Sequence, residues 1–191
     1  AYAQVKMAAA FSYRKTITID RTKVSCATMS DFPFLVSING DANLKTKAAD
    51  PVNGRVTSSN GYDIIFRDSD GTTTLDHEIE KYDGSTGTLI AWVRIPTLTN
   101  ATNKVIYLYY GNDTITSSTA SPAGVWGTNY AGVWHLNETS GTHYDSTSSA
   151  NHSTAVNVTT QGSATGKIDG ADAFTALNNY VSVPTNNWSA S

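Results

Sequence analysis

Between Tyr13 and Asp20 the chain alternates strictly. Tyr13, Lys15, Ile17 and Ile19 fall on one side of a two-residue period, and Arg14, Thr16, Thr18 and Asp20 on the other. A helix would scatter those apolar residues around its axis, whereas a strand gathers them on one face. The same reading extends to Phe32–Ile38, where Pro33 stands near the start and its missing N–H is tolerable. It extends again to Tyr62–Arg67, which runs into the turn cluster Asp68-Ser69-Asp70-Gly71. Val105–Tyr110 is apolar on both faces, which predicts a central strand, and Gly111-Asn112 stops it. One short helix is expected over Ala42–Ala49, with Asp41 as its N-cap.

Composition closes off the rivals. Only 15% of the 191 residues are charged, whereas Ser and Thr supply 47 of them and aromatic residues 10%. Helix-rich and coiled-coil chains need more Glu, Lys, Arg and Leu, and disordered tails carry more charge and fewer aromatics. A turn-rich, all-β globular protein is left. The net charge of −3 argues against a nucleic-acid surface, which needs clustered Lys and Arg. No apolar run reaches the length of a membrane span. Ala1-Tyr2-Ala3 has the small-x-small pattern of a signal cleavage site. The single cysteine, Cys26, excludes an internal disulfide.

The clearest local unit is a hairpin of Leu75–Tyr82 and Leu89–Ile95. A three-residue loop, Ser85-Thr86-Gly87, with Gly87 in the left-handed conformation, sets Glu78 opposite Arg94 and Glu80 opposite Trp92. Leu75, His77 and Ile79 then meet Ala91, Val93 and Ile95 on the inner face. Beyond a Ser/Thr-rich linker at 113–130, strand signals return at Ala131–Leu136, Ala171–Phe174 and Tyr180–Pro184.

Tyr13-Arg14-Lys15-Thr16-Ile17-Thr18-Ile19, Gly61-Tyr62-Asp63-Ile64-Ile65-Phe66, Leu75-Asp76-His77-Glu78-Ile79-Glu80, Ala91-Trp92-Val93 and Ile106-Tyr107-Leu108-Tyr109-Tyr110-Gly111-Asn112 occur in that order. Together they resemble an uncharacterised prokaryotic extracellular domain family, domain of unknown function 2341, over about residues 12–112. Gly132-Val133-Trp134-His135-Leu136-Asn137-Glu138, Asp172-Ala173-Phe174 and Asn179-Tyr180-Val181-Ser182-Val183-Pro184 resemble the opening strands of a laminin-G-like, concanavalin-type jelly roll. The resemblance implies an antiparallel, jelly-roll-like β-sandwich followed by a partial second sandwich. The expected layout is an N-terminal arm at 1–11, the first sandwich at 12–112, the linker, and an incomplete jelly roll at 131–191. It also implies an extracellular or cell-surface setting and a loose association with carbohydrate, but no catalytic residues.

The candidate chemistry is sparse. Asp76, Glu78 and Glu80 lie on one strand face at a spacing close to that of an inverting glycosidase pair. A solvated sheet face, with Glu78 paired to Arg94, accounts for them better. His77 is expected to point inward. Trp92, sharing its face with Glu78, Glu80 and Arg94, is the best placed aromatic for stacking on a sugar ring. Trp134 is expected in a core. Asp68-x-Asp70-Gly71 fails the calcium-loop template at Thr73 and Ile79, so an Asx turn is expected. No cofactor is expected; a looser calcium site using Asp145 or Asp169 would rest on fold analogy alone, and any metal is left unknown. Glycosylation sequons begin at Asn100, Asn112, Asn137, Asn151, Asn157 and Asn187.

Two functions fit. In the first, the chain is a non-catalytic, structural or adhesive surface subunit that assembles with copies of itself by strand exchange into a fibre or sheath. The donor strand would be the arm Ala1–Phe11. In the second, it is a carbohydrate-binding accessory module of a larger secreted glycoside hydrolase or adhesin, with a polysaccharide or cell-surface glycan as partner.

Overall fold

The computed structural model describes residues 11–184. Of the expected arm only Phe11 falls among them, and Asn187 lies outside them. The chain divides between Ser121 and Pro122 into two compact units. Its elements are almost all strands: β1 (Tyr13–Ile19), β2 (Thr28–Ile38), β3 (Ile65–Asp68), β4 (Thr74–Leu75), β5 (His77–Asp83), β6 (Thr88–Thr99) and β7 (Lys104–Tyr110) in the first unit. The second unit holds the single helical turn α1 (Pro122–Val125), then β8 (Ala155–Asn157), β9 (Thr160–Thr165), β10 (Gly170–Ala173) and β11 (Tyr180–Ser182).

The first unit is a sandwich of two antiparallel sheets, ordered β1-β7-β3-β4 and β2-β6-β5. Alternation does the sorting. Ile17 and Ile19 of β1, Ile106 and Leu108 of β7 and Phe66 of β3 point one way. Val36 of β2 and Leu89, Ala91, Val93 and Ile95 of β6 meet them in one apolar cluster. As expected, β7 is central, paired on both sides by β1 and β3. Asp63 ties the layer together at one end. Its buried carboxylate accepts the backbone N–H groups of Thr57, Ser58, Gly111 and Asn112 and the Thr57 hydroxyl.

The hairpin differs from expectation in register but not in face. Its loop has four residues, with Asp83 opposite Thr88, Tyr82 opposite Leu89 and Lys81 opposite Ile90. An unbroken ladder from there would turn His77 and Ile79 outward, because the side-chain period is two. A bulge between Ile79 and Lys81 makes Glu80 an extra residue and restores Ile79 opposite Ala91 and His77 opposite Val93. Glu78 therefore faces Trp92 rather than Arg94, and Glu80 has no partner residue in the ladder. Gly87 takes φ 76°, as expected, and a side chain there would strike the Asp41 carbonyl.

Other expectations need correction. Asp41 does cap a helical turn, its side chain accepting from Asn43 N, but only Ala42–Leu44 form it, as a 3-10 turn. From Thr46 the chain turns aside to meet Val56 in a parallel bridge. In the second unit β11 falls within its expected segment and β10 overlaps its own, starting one residue earlier at Gly170, whereas Ala131–Leu136 forms no strand. Trp134 makes one isolated bridge to Asp145, and Leu136 sits at φ 56°. The strands of this unit form two separate two-stranded ribbons, β8 with β11 and β9 with β10. No helix among the described residues is long and apolar enough to cross a membrane.

Candidate functional site

The two outer faces of the first sandwich carry different chemistry. On the β2-β6-β5 face, the bulge at Glu80 swings its carboxylate to Trp92, whose indole Nε1 donates to Glu80 Oε2 at 2.6 Å. Arg94 turns the other way, with Nη2 2.8 Å from Asp31 and Nη1 3.5 Å from Asp76. Asp31 reaches it from a left-handed backbone, φ 52°, across from the stretch of β6 where Pro96 cannot donate. Glu78 is nearly buried, at 9% exposure. The structure thus brings Trp92, Glu78 and Glu80 together and assigns Arg94 to two aspartates. The Trp92–Glu80 bond forms a latch across the bulge, and Arg94 spends its Nη groups on the two aspartates while its Nε is enclosed with no hydrogen-bond partner. His77, the neighbour of these carboxylates in sequence, is buried against Phe66, ring centroids 5.5 Å apart. Its burial pushes the imidazole below its ordinary value.

The β1-β7-β3 face holds the better site. Outward positions of the three paired strands bring Arg14, Tyr107, Tyr109 and Arg67 into one row, since Arg14 opposes Tyr109 and Arg67 opposes Tyr107. The Arg14 guanidinium lies 4.5 Å from the centre of the Tyr107 ring and 3.4 Å from the Tyr109 hydroxyl. Arg67 lies 4.9 Å from the Tyr109 ring and 5.9 Å from that of Phe11. At the end of this row opens a cleft of about 360 Å³, lined among others by Phe11, Arg14, Asp70, Thr72 and Tyr109. Its far wall is the β3–β4 turn. There Asp70 accepts Thr72 N and Thr73 N at 2.8 Å each and also the Thr73 hydroxyl, the Asx turn expected from sequence. Those bonds, led by the Thr73 hydroxyl, hold its carboxyl far below the usual carboxylate range. Tyr109 itself is nearly buried, at 4% exposure, and meets Phe11 edge to face, so the rings open to a ligand are the exposed Tyr13 and the half-buried Phe11. With the Arg14 guanidinium at the rim, they can pack on a sugar face and bind its hydroxyls.

Sequence reasoning missed this cleft because each strand shows only half of it. The tyrosines of β7 were legible as aromatic candidates. That Arg14 and Arg67 flank them, 53 residues apart in the chain, follows only from the pairing of β1 and β3 with β7.

In the second unit, His143 is fully buried between two carboxylates. Its Nδ1 is 2.7 Å from Glu138 Oε2 and its Nε2 2.8 Å from Asp172 Oδ2. Glu138 also accepts Tyr144 N, and Asp172 accepts Gly162 N, so three separate segments meet on one ring. Burial pushes the Glu138 carboxyl up, but the His143 ring and the Tyr144 N–H outweigh it and hold it below its ordinary value. Asp145 accepts from Val133 N, Thr147 N, the Thr147 hydroxyl and Asn151 N. With both oxygens committed to N–H and O–H donors, it is occupied as a loop organiser and not presented as a calcium ligand. Asp169 lies in the turn leading into β10. Among the described residues no group of three or more His, Cys, Asp or Glu is placed to hold a metal ion.

The sequon asparagines are placed unequally. Asn100 and Asn157 are exposed and Asn137 is half-buried. Asn112 and Asn151 are buried, the first capping Thr114 and the second donating to the Ala131 carbonyl at 3.1 Å. Trp134 is half-buried and donates to the Asn151 carbonyl. Cys26 is exposed.

A family model described as "Domain of unknown function (DUF2341)" matches residues 60–155. No curated protein matches the chain, and no solved structure matches it.

Proposed function

The chain belongs to the DUF2341 family, whose model covers half of it, and from that premise we propose that it is a non-catalytic, extracellular surface protein that adheres through carbohydrate. The observation that carries this reading is the cleft beside Tyr109. It offers the Phe11 and Tyr13 rings for a sugar face and, in the exposed Arg14, a planar donor for its hydroxyls. The low charge and the Ser/Thr content support an extracellular setting. The non-catalytic reading is supported by the engagement of Glu80 with Trp92 and of Asp76 with Arg94, and by the burial of His77. Electrophoresis through gels carrying a panel of polysaccharides tests adhesion. Retardation by at least one polymer, weakened by Phe11→Ala, is expected; free migration through every polymer would refute the reading.

Self-assembly is the second reading, favoured by the second unit. Its two ribbons have open outer edges among the described residues, and Phe174, Leu177 and Tyr180 are exposed beside them. Two-stranded ribbons are marginal alone, and open edges recruit further strands. Strand exchange between copies, with residues 1–11 as donor, would complete them. Native mass measured before and after deletion of residues 1–10 tests it: particles that shrink to monomers support exchange, and unchanged particles end it.

A further inference from the structure

We infer that the cleft beside Tyr109 selects an acidic saccharide, one whose carboxylate or sulfate oxygens meet the Arg14 guanidinium while a sugar face lies on the aromatic wall. This rests on the carbohydrate reading above and narrows it.

Charge carries the inference. Two guanidiniums sit against the aromatic rings of this row, Arg14 on Tyr107 and Arg67 on Tyr109 and Phe11. A third, Arg55, lies 5.4 Å from the ring of Tyr13, which alternates to the other side of β1. None of the three has a carboxylate within 4.0 Å among the described residues. Arg67 and Arg55 spend their Nη1 groups on carbonyls, of Gly71 and of Val52 and Gly54. Arg67 Nε is enclosed and has no hydrogen-bond partner. Two lysines of the same sheet are by contrast paired with carboxylates, Lys15 with Asp41 and Lys104 with Asp68. Of these arginines Arg14 lines the cleft, and the carboxylate beside it, Asp70, has oxygens that already accept from Thr72 and Thr73. A chain of net charge −3 thus keeps one corner positive, and a positive wall with aromatic faces favours an anionic ligand over a neutral one.

Nucleic acid offers the same oxygens, but its affinity comes from many phosphates at once. One short row of arginines on an acidic chain suits a ligand of one or two charges.

Arg14 is the arginine lining the cleft, and its side chain is exposed. The test compares polygalacturonate with the same polymer after reduction of its carboxyl groups, and dextran sulfate with dextran. A single-stranded oligonucleotide serves as a fifth arm. Retardation or titration by one or both charged polymers is expected, weakening as salt rises, with the neutral counterparts bound at least about tenfold less tightly. Arg14→Ala should weaken the charged interaction about tenfold. The charge-matched Arg21→Ala, on an exposed turn away from the cleft, should leave it unchanged. Equal binding of charged and neutral polymers overturns the acidic selection while leaving the carbohydrate reading standing. Binding of no polymer overturns both. Preference for the oligonucleotide overturns the inference in favour of a nucleic-acid surface.

Discussion

Asp63 and Gly111, 48 residues apart, are joined by a buried hydrogen bond of 3.0 Å from the Gly111 N–H to Asp63 Oδ2. The same carboxylate accepts four further donors from Thr57, Ser58 and Asn112. It therefore fastens the approach to β3 against the end of β7, and two of the segments that identify the family meet there. Asp63→Ala leaves those donors buried without an acceptor. It should cost about 3 kcal/mol or more in urea unfolding. Asp63→Asn, which keeps one acceptor oxygen, should fall between Ala and the parent.

Gly87 and Gly40 separate backbone strain from close approach. Both have positive φ, 76° and 67°. A Cβ on Gly40 would meet nothing within 4 Å, whereas one on Gly87 would lie 1.9 Å from the Asp41 carbonyl oxygen. Gly40→Ala should cost about 1 kcal/mol. Gly87→Ala should cost several times that, or prevent folding of the first unit, in the same thermal melt.

Glu80 is the extra residue of the β5 bulge. Its deletion closes β5 and β6 into a regular ladder with Ile79 and Tyr82 still facing inward. The deleted chain should fold, losing about 1–2 kcal/mol with the Trp92–Glu80 bond, and keep whatever polysaccharide affinity the parent shows. By contrast, deleting Glu78 forces Glu80 to the inner face. Soluble expression of both, with urea melts, distinguishes them.

The second unit should be sensitive to acid. Glu138 and Asp145 are held below their ordinary values of 4.5 and 3.8. A carboxylate whose value is lower folded than unfolded favours the fold above the unfolded value. That contribution is lost as pH falls through the folded one. Trp134 emission should therefore report loosening of this unit as pH drops below about 4. His143→Ala, which strips Asp172 and Glu138 of their shared partner, should cost about 3–5 kcal/mol at neutral pH.

Legibility followed the reach of each interaction. The faces of β1 and β6 were readable because alternation is local, and the central place of β7 because it is apolar on both faces. Gly87 and the Asp70 turn were readable because they depend on a few adjacent residues. The hairpin register was not, because it depends on a bulge; the only trace in the sequence is that Ile79 and Tyr82, both inward, are three residues apart. The Arg14–Tyr109–Arg67 row was invisible for a different reason: strand order, not strand identity, puts it together. In the second unit, Ala131–Leu136 is apolar enough to read as a strand yet forms none, because Asp145 and Asn151 claim its backbone through side-chain bonds.

The two units differ in what holds them. The first unit's apolar cluster runs from Ile19 to Tyr110, whereas the second is gathered on His143 and Asp145. Unfolding the second unit would wet comparatively little hydrocarbon, and it is hydrocarbon hydration that gives unfolding its large heat-capacity increment. Its stability should therefore vary little with temperature and yield only gradually to urea. The first unit should show the steep, curved response of an oily core. A calorimetric scan of the whole chain would show two components, with the smaller step in baseline belonging to the C-terminal one.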